Sequence, residues 1–188
     1  MAASARERIL EATYGCVARY GISKTTVEDV AREARLSRAT VYRHFPGGKD
    51  DLMAETIRWE TGRFFIRLAE AVAHADGLAE LLEEALMFAH RAVAEHEVLQ
   101  RILQTEPDLL LPQLSVDSDR VLGWIRTFVQ AGVERHGVPA GVDGAEAADY
   151  LSRMVLSFIS AQGRWDLTDR AQVRELVRTE LLAGLEPG

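Results

Sequence analysis

Apolar residues recur along this chain at the spacing of one helical face, and no segment alternates as a half-buried strand would. In the first twenty residues they form a single stripe, made of Ile9, Thr13, Cys16, Val17 and Tyr20. Gly21 follows as a stop signal, so the pattern predicts a first helix over 4–20. Cys16 is interpreted as a buried apolar residue of this stripe, since a redox sensor needs an exposed thiol.

Two shorter helices are predicted next. Thr26 can cap the first of them, with Asp29 three residues on as its reciprocal acidic partner. Val41 and Phe45 lie four apart on the second and are therefore predicted to face the core. Ser37 can cap this second helix, which ends before the helix-breaking run Pro46, Gly47 and Gly48.

Longer helices are predicted beyond residue 50, over 50–74, 77–95, 116–135, 144–162 and 169–185. The segment EVLQRILQ, residues 97–104, either continues the second of these helices or starts a short one of its own. Pro107 and Pro112 bracket a short apolar turn, and Asp143 and Asp169 are the predicted caps of the last two helices. The sequence thus predicts an all-α fold with a small three-helix N-terminal part and a larger helical body.

The composition is that of an ordinary globular protein, with 47% apolar and 27% charged residues among 188. No apolar run approaches the roughly 20 residues that span a bilayer, and the N-terminus lacks the apolar core of a signal peptide. A single cysteine cannot form an internal disulfide, which fits a reducing compartment. These observations predict a cytoplasmic protein.

Charge is distributed unevenly along the chain. Residues 1–50 carry nine Lys or Arg against six Asp or Glu, a net charge of +3 in a chain whose net charge is −7. The remaining residues carry 13 against 23, a net charge of −10. A basic N-terminal part on an acidic body suggests that the N-terminal part alone meets a polyanion.

The stretch LSRATVYRHFPGGKDDL, residues 36–52, gathers groups that hydrogen-bond to phosphate. Two helices joined by a tight turn form the pattern of a helix-turn-helix, whose second helix enters the DNA major groove. Arg38 and Arg43 are long enough for base edges, whereas Lys49 opens the next helix, where a phosphate contact is natural. Shorter or planar donors that can reach backbone oxygens are Ser37, Thr40, Tyr42 and His44.

The run GISKTTVEDVAREARLSRATVYRHFPGGKDDL resembles the N-terminal DNA-binding domain of the TetR family of bacterial transcriptional regulators. The resemblance implies a helix-turn-helix DNA-binding domain at 1–50 and a helical ligand-binding and dimerisation domain at 51–188. It further implies a homodimer that acts as a repressor on a palindromic double-stranded DNA operator. A small-molecule effector would release it from that operator.

The resemblance also assigns roles to residues. Contacts to phosphates or to the groove wall would come from Thr26, Ser37, Thr40, Tyr42, His44 and Lys49. Residues facing the bases would be Arg38, Ala39 and Arg43. The pair Gly47–Gly48 departs from the family pattern, in which a single Ser or Asn often caps the fourth helix, and this departure bears on where Lys49 lies.

The larger helical domain carries aromatic residues at helical spacing, and some are expected to line a cavity for a small hydrophobic or amphipathic effector. The predicted ligand-binding residues are Phe88, His90, Arg91, Trp124, Phe128 and Phe158. The helix at 144–162 is apolar nearly all round, so it needs cover from the body and from a two-fold mate. The predicted dimer interface consists of Leu151, Met154, Val155, Phe158, Val173, Leu176, Val177 and Leu181.

Other classes of function remain as alternatives. A transcriptional activator, or an architectural DNA-binding protein without ligand control, would share the same N-terminal domain, and the latter should have a filled core. A helical enzyme has little support, because the sequence lacks a nucleophile elbow, a phosphate-cradling glycine loop and a metal-ligand set. Glu70 and His74 share a helical face, but a surface pair is the simpler interpretation, and no metal or other cofactor is expected.

Overall fold

The structure is a computed structural model that describes residues 4–110 and 118–185, and this part of the chain contains helices and no strand. The prediction of an all-α fold is confirmed. Pro112 and the first residues of the predicted helix 116–135 lie outside the described residues. The longer helices are α1 (Ala5–Tyr20), α2 (Val27–Glu33), α3 (Arg38–His44), α4 (Lys49–Ala71), α5 (Leu78–Ala94), α6 (Glu97–Thr105), α7 (Ser118–His136), α8 (Gly144–Ser160) and α9 (Arg170–Leu176). Residues 107–110, in the predicted apolar turn, are also helical.

Most helices lie where the sequence predicts them, with ends that differ from the predicted ones by up to three residues. The side chains of four predicted caps accept hydrogen bonds from the first turn of their helices, and these are Thr26, Ser37, Asp143 and Asp169. Gly21 and Gly137 end α1 and α7 with φ of 85° and 79°, a backbone conformation that favours glycine.

After α5 ends, the His96 Nδ1 atom accepts the Leu99 N–H at 3.1 Å and starts α6 as a separate helix, one of the two predicted alternatives. One helix differs from its predicted course. The predicted last helix, 169–185, is α-helical only to Leu176. It continues as a π-helix over Val177–Leu182 and a 3₁₀ turn over Ala183–Leu185. The Tyr150 hydroxyl of α8 donates to the Glu180 carbonyl within this π-helix at 2.8 Å.

The chain forms two compact units whose boundary differs from the predicted one at residue 50. The first unit, called the head here, contains described residues 4–64 and 96–110, and the second contains 65–95 and 118–185. Residues 96–110 belong to the head because their apolar side chains share its core. Ile102 and Leu110 lie in one buried cluster with Ile9 and Leu10 of α1.

The head buries the apolar stripe of α1 together with the inner faces of α2 and α3. Ile9, Leu10, Val30 and Val41 have no exposed surface, and Cys16 is buried as predicted. Burial raises the pKa of the Cys16 thiol, which keeps the thiol protonated and unreactive. The prediction that Tyr20 belongs to this buried stripe is wrong. Tyr20 is 44% exposed because α1 ends there, and the Arg19 guanidinium lies 5.9 Å from the centre of its ring.

The second unit buries much of the predicted dimer interface within a single chain. Five of the eight predicted residues are at most 1% exposed and form intrachain core, namely Leu151, Val173, Leu176, Val177 and Leu181. The physical reason is that α9 and the π-helix after it pack against α5 of the same chain, and α8 also contacts α5 and the π-helix. Partly exposed positions remain available to a partner, and these are Met154, Val155 and Phe158.

Arg35 lies in the turn between α2 and α3 at φ 55°, and it is exposed. A side chain in this left-handed conformation carries a steric cost that glycine avoids. We expect Arg35→Gly to raise the free energy of unfolding by about 1 kcal/mol, measured by urea denaturation. Arg43→Gly is the matched control, because Arg43 is exposed within helical α3 and the same change should lower stability by about 1 kcal/mol there. A lower free energy of unfolding for Arg35→Gly would contradict the inferred backbone strain at Arg35.

Candidate nucleic-acid interface

A tight turn joins α2 to α3 in the head. The Leu36 N–H donates to the Ala31 carbonyl at 2.9 Å, and the Arg35 N–H donates to the Arg32 carbonyl at 3.2 Å. These bonds end α2 and bring the chain to Ser37, which caps α3. The two helices therefore have the arrangement of a helix-turn-helix, with α3 in the place of the helix that enters a groove.

Thr26 starts α2 with a capping box. Its hydroxyl donates to the Asp29 carboxylate at 2.5 Å and accepts the Asp29 N–H at 3.1 Å. The hydrogen bond from the Thr26 hydroxyl, with help from Arg32, lowers the pKa of Asp29. The Thr26 hydroxyl is thus already engaged within the chain, and a contact from it to phosphate, which stays a prediction, would compete with the cap.

Helix α3 packs against the core of the head through one face and exposes its other faces to solvent. Val41 has no exposed surface, and Phe45 at its C-terminal end is 2% exposed. The Ser37 hydroxyl accepts the Thr40 N–H at 3.1 Å and lies 3.0 Å from the Thr40 hydroxyl. Side chains that α3 exposes to solvent are Arg38, Ala39, Tyr42, Arg43 and His44.

Arg38 is held only weakly in this arrangement. Its guanidinium lies 3.9 Å from the Glu28 carboxylate, and the two side chains are 60% and 71% exposed. An exposed pair at that distance contributes little to stability. The Arg38 side chain can therefore leave Glu28 at small cost and reach toward a base edge.

Gly47 and Gly48 lie in the turn between α3 and α4, and the N–H group of each is hydrogen-bonded. Gly48 has φ of 66°, and its N–H donates to the Phe45 carbonyl at 3.0 Å. The Asp51 carboxylate accepts the Gly47 N–H at 2.5 Å. Lys49 then begins α4, and its ammonium donates to the Ser23 carbonyl at 2.8 Å. This bond uses one of three ammonium donors, so it leaves donors for the phosphate contact that the sequence predicts.

Glu106 is a residue of the head that sequence reasoning missed. Its carboxylate accepts the Ile22 N–H at 2.6 Å, the Ser23 N–H at 3.1 Å and the Ser23 hydroxyl. The Ser23 hydroxyl, followed by the two backbone N–H groups, lowers the pKa of Glu106. Stabilisation from a lowered carboxyl pKa is complete above the unfolded value and is lost as the pH falls through the folded value. Nothing local in the sequence links Glu106 to a serine 83 residues away.

The structure places the six predicted ligand-binding residues in the second unit without gathering them all. Trp124 and Phe128 lie beside Phe65 of α4, with ring centres 5.7 Å and 6.5 Å from the Phe65 ring. The His90 Nδ1 atom lies 3.0 Å from the Gln162 amide nitrogen. Arg91 is exposed, while Phe88 and Phe158 are partly buried.

An open groove of about 500 Å³ lies elsewhere on the second unit, on α7 and α8. It contains none of the six predicted ligand-binding residues, and its lining is mostly charged: Arg126, Ala145, Glu146, Asp149, Tyr150 and Arg153. Asp149 pairs with Arg153 at 2.9 Å and with Arg126 at 3.6 Å, so the charges of this groove largely satisfy one another.

Among the described residues, no helix combines the length and the apolar character that crossing a bilayer requires. Across 4–110 and 118–185 there is also no group of three or more His, Cys, Asp or Glu side chains placed to hold a metal ion.

The helix-turn-helix matches a known family. Residues 9–56 match the sequence model described as "Bacterial regulatory proteins, tetR family". Residues 9–56 of this chain are thus similar to the DNA-binding domain of the TetR family. The matched residues include α2, α3 and the start of α4, so the match covers the same elements that carry the exposed recognition helix.

Individual curated proteins match larger parts of the chain. An HTH-type transcriptional regulator of Mycobacterium tuberculosis is 31% identical over 106 residues, which cover 53% of this chain and 54% of that protein. The HTH-type transcriptional repressor KstR2 of the same species is 29% identical over 119 residues, covering 62% and 59%. The matched part of the chain thus spans little more than half the length of these curated relatives.

The fold also matches solved structures. AlkX, a TetR family repressor from a Dietzia strain implicated in biodegradation of n-alkanes, aligns over 95% of each chain with a TM-score of 0.68. Its sequence is 22% identical to this chain, so the likeness concerns the fold.

Proposed function

We propose that this protein is a ligand-responsive transcriptional repressor that binds a palindromic DNA operator and is released by a small hydrophobic or amphipathic effector. The observation that carries the proposal is the outward face of α3. That face exposes two arginines, a tyrosine and a histidine from a helix whose inner side is anchored by Val41. The TetR-family match to the same residues supports it.

The exposed side chains of α3 are of two kinds, which differ in length and in the DNA groups that they can contact. Arginine paired with guanine in the major groove is the commonest specific contact, and Arg38 and Arg43 have the length for it. Tyr42 and His44 carry polar groups on short planar side chains that suit the groove wall and the phosphates. Specificity would therefore come from the arginines, and affinity from the remaining contacts together.

A dimer would present two copies of α3 to the two halves of the operator. A helix-turn-helix dimer binds half-sites separated by about one helical turn of DNA or a multiple of it. Partner contacts are proposed at the partly exposed positions of α8, including Met154, Val155 and Phe158. Since the other predicted interface residues are intrachain core, α8 carries most of the proposed interface.

Repression is proposed over activation because the relatives KstR2 and AlkX are both named repressors. An effector would act by binding more tightly to the conformation that cannot bind DNA, which shifts the population away from the operator. The aromatic cluster of Phe65, Trp124 and Phe128 is the proposed apolar wall of the effector site. The pair of His90 and Gln162 is the proposed polar end.

The DNA contacts are tested by Arg38→Ala and Lys49→Ala on the duplex that the protein protects upstream of its own gene. Arg38→Ala should cost about 1–3 kcal/mol and relax base preference at one position of each half-site. Lys49→Ala should weaken binding on all sequences alike and flatten the salt dependence by roughly one unit for each phosphate that is no longer neutralised. Both are measured by fluorescence anisotropy across a salt series.

Each variant serves as the control for the other in this experiment. An Arg38→Ala protein that loses affinity uniformly across altered operators would make Arg38 a backbone contact. A Lys49→Ala protein with an unchanged salt slope would remove the phosphate role of Lys49 and leave only its bond to Ser23.

The dimer is tested by Phe158→Glu. A carboxylate at this partly buried position would be desolvated by a partner, which costs several kcal/mol and should separate the protomers. Light scattering should then give the mass of one chain, and operator binding should fall sharply. Ile66→Glu is the matched control, because Ile66 is 61% exposed on α4 and the same change there should leave a dimer. A dimeric Phe158→Glu protein would move the interface elsewhere.

The effector site is tested by fluorescence, because Trp124 belongs to the proposed apolar wall. Within a panel of fatty acids, acyl thioesters and sterols, a compound that releases the operator should also change Trp124 emission. Phe128→Ala should weaken the response to that compound several-fold by removing part of the wall, while operator affinity stays near normal. If operator release persisted unchanged in Phe128→Ala, the effector site would lie elsewhere.

A further inference from the structure

The segment 96–110 contacts the head through polar groups as well as apolar ones. The Arg101 guanidinium donates to the Val17 carbonyl near the end of α1 at 2.9 Å. The His96 ring lies edge-on to the Tyr14 ring of α1, with centres 6.2 Å apart. Glu106 follows at the end of α6 and binds the loop that joins α1 to α2.

Glu106 makes the most complete of these contacts. Its carboxylate takes three hydrogen bonds from two successive residues, the Ile22 N–H, the Ser23 N–H and the Ser23 hydroxyl. It lies so close to Gly21 that a Cβ atom there would stand 2.7 Å from a carboxylate oxygen. The loop backbone thus turns around the carboxylate, which satisfies two N–H groups that no helix or strand pairs.

Ser23 is held from both sides. Glu106 accepts from its N–H and hydroxyl, while the Lys49 ammonium donates to its carbonyl at 2.8 Å. Lys49 in turn opens α4 directly after α3. A continuous polar chain therefore runs from Glu106 through Ser23 to Lys49, which is a predicted DNA contact.

The same loop sets the start of α2. Thr25 is 1% exposed, and its hydroxyl donates back to the Gly21 carbonyl at 2.7 Å. Thr26 follows at once as the cap of α2. A displacement of Ser23 would therefore be passed to the position of α2, against which α3 makes its turn.

We propose that Glu106 is a positioning residue for DNA binding, whose carboxylate holds the α1–α2 loop and Lys49 in the geometry that the operator requires. The proposal rests on the proposed function, because it concerns affinity for DNA. Glu106 itself does not need to touch the duplex. Segment 96–110, which contains Glu106, follows residue 95 of the second unit directly in the chain.

Charge alone predicts the opposite result, which makes the proposal easy to test. Removing a negative charge from a DNA-binding protein should strengthen binding to a polyanion through long-range electrostatics. Removing a positioning carboxylate should weaken it. The sign of the change in affinity therefore separates the two effects.

The experiment compares Glu106→Ala, Glu106→Gln and the charge-matched control Asp108→Ala on the footprinted duplex, at a series of salt concentrations. Asp108 is exposed two residues away. We expect Glu106→Ala to bind about tenfold more weakly, the order of effect of one charge-assisted hydrogen bond. Glu106→Gln, which keeps an acceptor oxygen, should recover part of the loss. Asp108→Ala should bind as tightly as the unmodified protein or slightly more tightly.

A second measurement follows the hydrogen bonds between Glu106 and the α1–α2 loop in the absence of DNA. Amide hydrogen exchange at Ile22 and Ser23 should accelerate in Glu106→Ala and stay unchanged in Asp108→Ala. Ser23→Ala removes one donor, so its effect on DNA affinity should be smaller and should not add to that of Glu106→Ala in the double variant. Circular dichroism and urea denaturation confirm that each variant is folded before binding is compared.

Failure of this proposal is distinguishable from failure of the proposed function. If the unmodified protein bound no duplex, both would fall. If it bound DNA and folded Glu106→Ala bound equally well or more tightly, only the positioning role would be overturned. Additive losses from Glu106→Ala and Ser23→Ala would also overturn it, because the two side chains would then act independently.

Discussion

Val41 and Phe45 lie four residues apart and are both buried, so together they fix the rotation of α3 about its axis. Burying side chains of this kind stabilises a folded chain by about 1.5–3 kcal/mol each. Once these two face the core, the other faces of α3 meet solvent, and the side chains there are polar or small. The Arg6 guanidinium lies 5.5 Å above the Phe45 ring and adds a contact on the outer side of the same anchor. The exposed face of α3 is thus a consequence of the core.

A second constraint is that the head is not continuous in sequence. Ile102 and Leu110 belong to the same buried cluster as Ile9, and Glu106 holds the loop before α2. The head therefore depends on a segment that residues 65–95 of the second unit separate in sequence from the rest of the head.

Local signals were sufficient for much of the head. Thr26 with Asp29, Ser37 and Gly21 act within four residues of their partners, so their roles follow from short sequence patterns. Contacts between distant residues left no such pattern, and Glu106 with Ser23 is the clearest case. In the second unit, apolar periodicity showed that Leu151 and Leu176 are covered, but it could not tell an intrachain neighbour from a partner chain. Periodicity specifies which faces need cover, whereas the tertiary packing specifies what covers them.

The most direct test of the account is to sequence the duplexes that the full chain retains from a random pool at physiological salt. Two copies of an exposed α3 should enrich an inverted repeat whose half-site centres lie about one helical turn apart or a multiple of it. Retention of duplexes without an enriched sequence would contradict base recognition by α3. If the protein retained no duplex from the pool, DNA binding itself would be contradicted.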